Sequence, residues 1–216
     1  MKKIICSHGF GVRADSLGMF PEIAEGLPGF DFEMFDYNKV MPGGDIVVLS
    51  IIDQAQILQR VIDQADPGSV LLCHSQGCII AGLVDLSKIS QVILLAPPVH
   101  TSMRRLVNRL LPRINNVDSR GVGNLTRRDG TTMHLTNDYI SSVIDHNPME
   151  LYKNIASTKP TVIVRATMDD LLGPTSFNHI ENAKHIDIVG NHNFSGLARI
   201  ELVGQLEKIL QPSLFL

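Results

Sequence analysis

Along this chain, short apolar runs alternate with longer stretches in which apolar residues recur every three or four positions. Alternation of that kind predicts βαβ units and therefore a parallel sheet. The spacing predicts strands over Lys3 to Ser7, Phe30 to Tyr37, Ser69 to Cys73, Gln91 to Ala96, Thr161 to Ala166 and His185 to Val189. Between them, Ala14 to Leu27 has a helical pattern that Pro21 interrupts, and Pro42-Gly43-Gly44 marks a loop. Ile51 to Gln64 carries Ile51, Ile52, Ala55, Ile57, Leu58, Val61 and Ile62 at helical spacing, closed by Asp66-Pro67-Gly68. A last helix from Ser195 to Leu210 is expected to turn Leu197, Ile200, Leu202, Val203, Leu206, Ile209 and Leu210 toward the core.

From His100 to Tyr152 the alternation breaks. Met103 to Arg113 reads as a helix with Met103, Leu106, Val107, Leu110 and Leu111 on one arc and Arg105, Arg109 and Arg113 on another. Asp129-Gly130 is a two-residue hairpin turn between Val122 to Arg128 and Thr131 to Leu135, and Asn137 to Ile144 is helical again. An insertion of this size is expected above the carboxyl ends of the strands, as a lid over about 100–152 in a single domain spanning 1–216. The arginine arc is read as a solvated face, with an anionic ligand the sharper alternative.

Composition changes this picture little but narrows the partners. A chain of 216 residues with 44% apolar and 19% charged side chains can bury one substantial core. Its net charge of −3 leaves no overall basic footprint for nucleic acid, and no run approaches the roughly 20 apolar residues of a membrane span. Ile4-Ile5-Cys6 after Met1-Lys2-Lys3 is too short for a signal peptide, so a cytoplasmic protein, monomer or homodimer, is expected. Cys6, Cys73 and Cys78 read as reduced core thiols, and neither they nor His100, His134, His146, His179 and His185 show ligand spacing. No metal and no cofactor is expected.

Chemistry enters with Cys73-His74-Ser75-Gln76-Gly77, which follows the apolar run Val70-Leu71-Leu72 and precedes Cys78-Ile79-Ile80-Ala81. A serine between a strand and a helix, flanked by small residues, has the form of a nucleophile elbow. The blander reading is a serine that merely caps the next helix. A serine hydroxyl is a poor nucleophile at neutral pH and needs a base, a carboxylate to orient that base, and donors for an oxyanion. His192, in Gly190-Asn191-His192-Asn193-Phe194 between the last strand and the last helix, is the candidate base. Asp169, three residues beyond the Thr161 to Ala166 strand, is the candidate acid, and its neighbour Asp170 is the alternative. The backbone N–H groups of Gln76 and of Phe10, in the loop after the first strand, are the candidate oxyanion donors. His74 is read as support for the turn, and His8 as a brace for its own loop.

From His8-Gly9-Phe10-Gly11 to His192 the chain resembles a small α/β-hydrolase of the serine esterase and lipase type, over nearly its whole length. The order serine, acid, histidine matches that family, each following a predicted strand. The resemblance implies an α/β-hydrolase fold of about six mainly parallel strands flanked by helices, with a lid of helices and a β-hairpin. It also implies that His8 and Gly9 shape the oxyanion loop and that Gly77 gives the elbow its room. This sequence departs from the family in having Ala166 where the acid turn commonly has glycine, and Cys73 where the elbow does. Two leading strands of larger members are absent, so the sheet should begin with the strand carrying Cys6.

The expected activity is hydrolysis of a carboxyl ester, or of a thioester or amide, through an acyl-enzyme, with a small acyl compound as substrate. Acyl transfer to another acceptor or cleavage of a carbon–carbon bond would use the same residues. Two further alternatives stand beside it. Gly9-Phe10-Gly11-Val12-Arg13-Ala14, with Asp36 at the end of the second strand, fits a dinucleotide fingerprint. A binding module on the same scaffold, without catalysis, is the other.

Overall fold

The computed structural model describes residues 1–101, 114–117, 123–127, 129–144 and 146–211. Its frame is a parallel six-stranded sheet built from β1 (Lys2–Ser7), β2 (Phe30–Met34), β5 (Ser69–His74), β6 (Ile89–Leu95), β10 (Thr161–Ala166) and β11 (Ala183–Ile188). The order across it is β11-β10-β6-β5-β1-β2, all neighbours parallel. Period-two side-chain direction divides the inner strands between two cores. Ile4, Cys6, Val70, Leu72, Ile93, Leu95, Val162 and Val164 face one. Ile5, Leu71, Cys73, Val92, Leu94 and Ile163 face the other. Because both faces are covered, these strands read as continuous apolar runs, whereas edge strand β11 keeps exposed Lys184, His185 and Asp187.

Helices α1 (Met19–Gly26) and α6 (Leu197–Leu210) cover the first core, and α2 (Ile51–Gln64), α3 (Gln76–Ala81) and α5 (Pro148–Thr158) pack on the second. Helix α2 begins at a Ser50 cap that accepts the Asp53 N–H at 3.1 Å and buries Ile51, Ala55, Leu58 and Ile62. Ile52 faces solvent, and the polar Gln54 turns inward instead. Helix α1 is shorter than the pattern over 14–27 suggests. Ser16, Leu17 and Gly18 all have positive φ and cannot continue a helix, so Pro21 falls in the first turn, where it breaks nothing. In α6 the buried stripe is Ala198, Leu202, Leu206 and Leu210, while Leu197 and Ile200 are 84% and 71% exposed. Buried Arg199 takes the inward place, donating to the Met19 and Asn193 carbonyls and to Glu22. The second strand ends at Met34, short of Tyr37.

A second sheet, of which the pattern foresaw only the hairpin across Asp129-Gly130, joins two distant segments in the order β3-β4-β9-β8-β7. β3 (Lys39–Val40) and β4 (Ile46–Val48) come from the loop after β2, while β7 (Ile114–Val117), β8 (Gly123–Thr126) and β9 (Thr132–Leu135) come from the stretch between β6 and β10. β8 and β9 pair antiparallel across Asp129-Gly130, and β9 runs parallel to β4, Ile46 against Met133 and Val48 against Leu135. Helix α4 (Asn137–Ile144) follows, and its Ser142 hydroxyl accepts the Ile51 N–H at 2.9 Å. Leu125, Met133, Leu135, Tyr139, Ile140 and Val143 join the second core, so this part of the insertion is packed structure. The helix expected over Met103 to Arg113 lies outside the described residues.

Candidate active site

The carboxyl ends of β1, β5, β10 and β11 bring the candidate residues to one edge of the sheet. Ser75 joins β5 to α3 with φ 53° and ψ −123°, a backbone that L-residues rarely adopt. Its own N–H bonds the Leu95 carbonyl at 2.9 Å, and its carbonyl accepts from Cys78. It stands at the cap position of α3, yet its hydroxyl makes no capping bond. Glycine at position 77 is sterically required: a Cβ there would stand 2.3 Å from the Ser7 carbonyl oxygen and 2.8 Å from that of His8. A Cβ on Gly9 would come within 3.1 Å of the Ser75 Cβ, so the loop after β1 lies directly against the serine.

His192 sits 5% exposed in the turn between β11 and α6. Its Nδ1–H donates to Asp169 Oδ2 at 2.8 Å, leaving Nε2 as the free ring nitrogen. Asp169 also accepts the N–H groups of Leu171 and Leu172. Burial pushes its carboxyl up, but these three hydrogen bonds and the neighbouring imidazole outweigh that and hold it below its ordinary value. Asp170 meets the same histidine differently: its Oδ1 accepts the His192 backbone N–H at 3.1 Å. Thus the ring belongs to Asp169 and the main chain to Asp170. No hydrogen bond joins Ser75 Oγ to His192 among the described residues; what ties the two corners is His74, whose Nε2–H donates to the His192 carbonyl at 3.0 Å. The Ser16 hydroxyl faces His74 Nδ1 at 3.3 Å, and the His74 and His192 rings lie 4.9 Å apart. Burial, helped by the nearby His192, lowers the His74 pKa to about 3, so this histidine is neutral.

The loop from His8 to Gly11 is braced just as closely. His8 Nε2 accepts the Tyr37 N–H at 3.0 Å, which leaves Nδ1–H to donate to the Gly9 carbonyl at 2.9 Å, and burial lowers its pKa. The Tyr37 hydroxyl donates to Ser7 Oγ, which donates in turn to the Gly77 carbonyl, joining this loop to the elbow. Neither the Phe10 N–H nor the Gln76 N–H makes a backbone hydrogen bond among the described residues. Gln76 is the first residue of α3, where such donors have no partner within the helix. Met133 of the second sheet lies against Gly11, where a Cβ would stand 2.2 Å from its sulfur unless the methionine side chain moved aside.

Ser7, Tyr37, Gln54 and Tyr139 complete the surroundings, and the sequence pattern singles out none of them. The usable signal was tyrosine itself. The chain has three, Tyr37, Tyr139 and Tyr152, all fully buried, and a buried phenol needs a partner. The dinucleotide alternative loses its footing here. Asp36 Oδ1 accepts the Ala14 N–H at 2.7 Å, and the first helix starts at Met19, too far on to point its amino end at the glycines. Among the described residues no three His, Cys, Asp or Glu side chains gather as a metal would need, and no helix is long and apolar enough to cross a membrane.

No protein-family model matches the sequence, and no curated protein matches it. Solved structures do. Est1E from Butyrivibrio proteoclasticus superimposes with a TM-score of 0.64 at 17% identity, over 97% of this chain and 89% of the other. A monoacylglycerol lipase from Paleococcus ferrophilus gives 0.64 at 17%, over 95% and 94%. A thioesterase domain from the curacin biosynthetic pathway gives 0.62 at 17%, over 95% and 91%. At such identities the likeness speaks for the architecture, and it runs the length of the chain: the protein has the α/β-hydrolase fold.

Proposed function

We propose that the protein is a serine hydrolase that cleaves a carboxyl ester, with thioesters and amides open to the same route. The observation that carries this reading is the 2.8 Å bond from His192 Nδ1–H to Asp169, on the sheet edge where Ser75 holds a hydroxyl free of capping duty in a strained turn. That bond fixes the tautomer in which Nε2 is the base. His192 takes the Ser75 proton as Oγ attacks the substrate carbonyl, and Asp169 steadies the imidazolium. The Phe10 and Gln76 N–H groups receive the oxyanion. His192 then passes its proton to the leaving alcohol, activates water, and the acyl group departs as the acid. The neighbours named above for lipase and thioesterase activity support this choice of bonds.

An active-site fluorophosphonate should label the wild type, and Ser75→Ala should abolish both labelling and turnover of p-nitrophenyl esters. Absence of wild-type labelling together with a melting temperature raised by NAD would sink the hydrolase reading. A series of p-nitrophenyl esters of rising acyl length then measures what the segment over 100–152 admits.

A further inference from the structure

We propose that Tyr139, on a helix of the insertion, is a positioning residue that holds both oxyanion donors, so that the insertion sets the rate of reaction as well as admitting substrate. This rests on the serine-hydrolase reading above. Four contacts carry it. The Tyr139 hydroxyl donates to Gln76 Oε1 at 2.5 Å. The Tyr139 ring stacks on Phe10, centroids 5.3 Å apart and planes 18° from parallel. Gln76 Nε2 donates to Gln54 Oε1 at 2.9 Å, and Gln54 Nε2 donates to the Leu49 carbonyl at 2.7 Å.

The sense of this chain is forced from its far end. A carbonyl only accepts, so Leu49 turns the Gln54 amide nitrogen toward itself and the Gln54 oxygen toward Gln76. Gln76 must then present its nitrogen to Gln54 and its oxygen outward, where the Tyr139 proton meets it. Gln54, Gln76 and Tyr139 are 1%, 6% and 1% exposed, so water cannot replace a missing link cheaply. Burial also pushes the Tyr139 phenol well above its ordinary pKa, and it stays a donor across the working range. One side chain therefore touches both residues whose main-chain N–H groups are the oxyanion donors: Gln76 through its amide and Phe10 through its ring. Tyr139 is itself buried, so it acts through the two amides.

The test is Tyr139→Phe, which keeps the stack and deletes the donor, beside Tyr139→Leu, which loses both. With p-nitrophenyl acetate, Tyr139→Phe should lower kcat about ten-fold with KM within about two-fold, and Tyr139→Leu about a hundred-fold, because an oxyanion donor out of place loses transition-state binding alone. Phenylboronic acid, which forms a tetrahedral adduct on a reactive serine, should lose affinity in parallel with kcat. A side chain that merely fills space would instead lower the melting temperature and the active fraction without separating kcat from KM. Unchanged kcat in folded Tyr139→Phe, or a rise confined to KM, overturns the proposal while leaving a labelled wild type a serine hydrolase. A wild type that fluorophosphonate fails to label overturns both. Should Tyr139→Phe not fold, Gln54→Met cuts the chain one link further from Tyr139 and must reproduce the fall in kcat at constant KM.

Discussion

The corner that holds Ser75 and the turn that holds His192 stand at the same edge of the sheet, yet they are fixed by different physics. Around Ser75 the constraints are steric and main-chain: a positive φ, a bond to the Leu95 carbonyl, and a Gly77 that no side chain could replace without striking Ser7 and His8. Around His192 they are polar and come from afar. Asp169 takes the ring, Asp170 the amide, His74 the carbonyl, and Arg199 the carbonyl of Asn193. The proposed nucleophile should therefore respond to volume and backbone freedom, and the proposed base to charge, hydrogen bonding and pH.

The largest effect should separate the two adjacent aspartates. Asp169→Asn keeps the shape but can present an amide N–H to His192 Nδ1, stabilising the wrong tautomer; kcat on a p-nitrophenyl ester should fall on the order of 10⁴-fold. Asp170→Asn keeps an oxygen for the His192 N–H and should cost about ten-fold or less. Equal losses would show that the two carboxylates do not divide ring and main chain between them. Next in size is Gly77→Ala, where the added methyl meets backbone oxygens rather than a yielding side chain. Chemical denaturation should show a loss of about 3 kcal/mol or more, and a near-neutral result would mean the elbow relaxes far more easily than its contacts imply.

This contrast also governs what could be seen in the sequence. The elbow is local, so Cys73-His74-Ser75-Gln76-Gly77 announces it in five consecutive residues, and the inner strands follow because their apolar runs are buried on both faces. His192 and Asp169 could be nominated from their places after strands, but nothing in the sequence divides ring from main chain between Asp169 and Asp170, since that depends on the turn. Beyond its Asp129-Gly130 hairpin, the second sheet was hidden for a different reason. β3 and β4 are two and three residues long, too short for period-two alternation to register, and β4 finds its parallel partner 87 positions on, Ile46 beside Met133. Arg199 misled in the opposite way: a helical stripe that includes Leu197 and Ile200 looks more apolar than the one that is buried, and only its hydrogen bonds let the arginine lie inside.

Histidine 74 links the two corners and makes the polar one sensitive to acid. Its folded pKa is depressed from 6.5 to about 3, chiefly by burial. Above about pH 6.5 it is neutral whether folded or not, and its contribution to stability is intact. As pH falls from there toward 3, the unfolded chain takes up a proton that the folded chain refuses, so stability declines, by at most about 1.4 kcal/mol per pH unit for this one group. His8, whose pKa is lowered by burial too, acts with the same sign. Urea titrations from pH 7.5 to 4.5 should show His74→Gln less stable at the upper end, where a ring contact is lost, but with a shallower decline. Parallel curves for the two proteins would remove His74 as the source.

The smallest effect tests the steric corner alone. Ser75 holds φ 53° and ψ −123°, and a residue with a Cβ in such a conformation carries on the order of 1–3 kcal/mol of strain. Ser75→Gly relieves it, offset in part by glycine's greater freedom in the unfolded chain, for a net gain of about 1 kcal/mol. Ser75→Ala keeps the Cβ and therefore the strain while losing the hydroxyl. Both variants should be inactive toward esters, but only the glycine variant should melt at a higher temperature. A glycine variant no more stable than the alanine variant would mean that polar contacts, and not backbone shape, hold the serine. The two corners would then be held alike, and a substitution at Gly77 would have to act through something other than the turn it crowds.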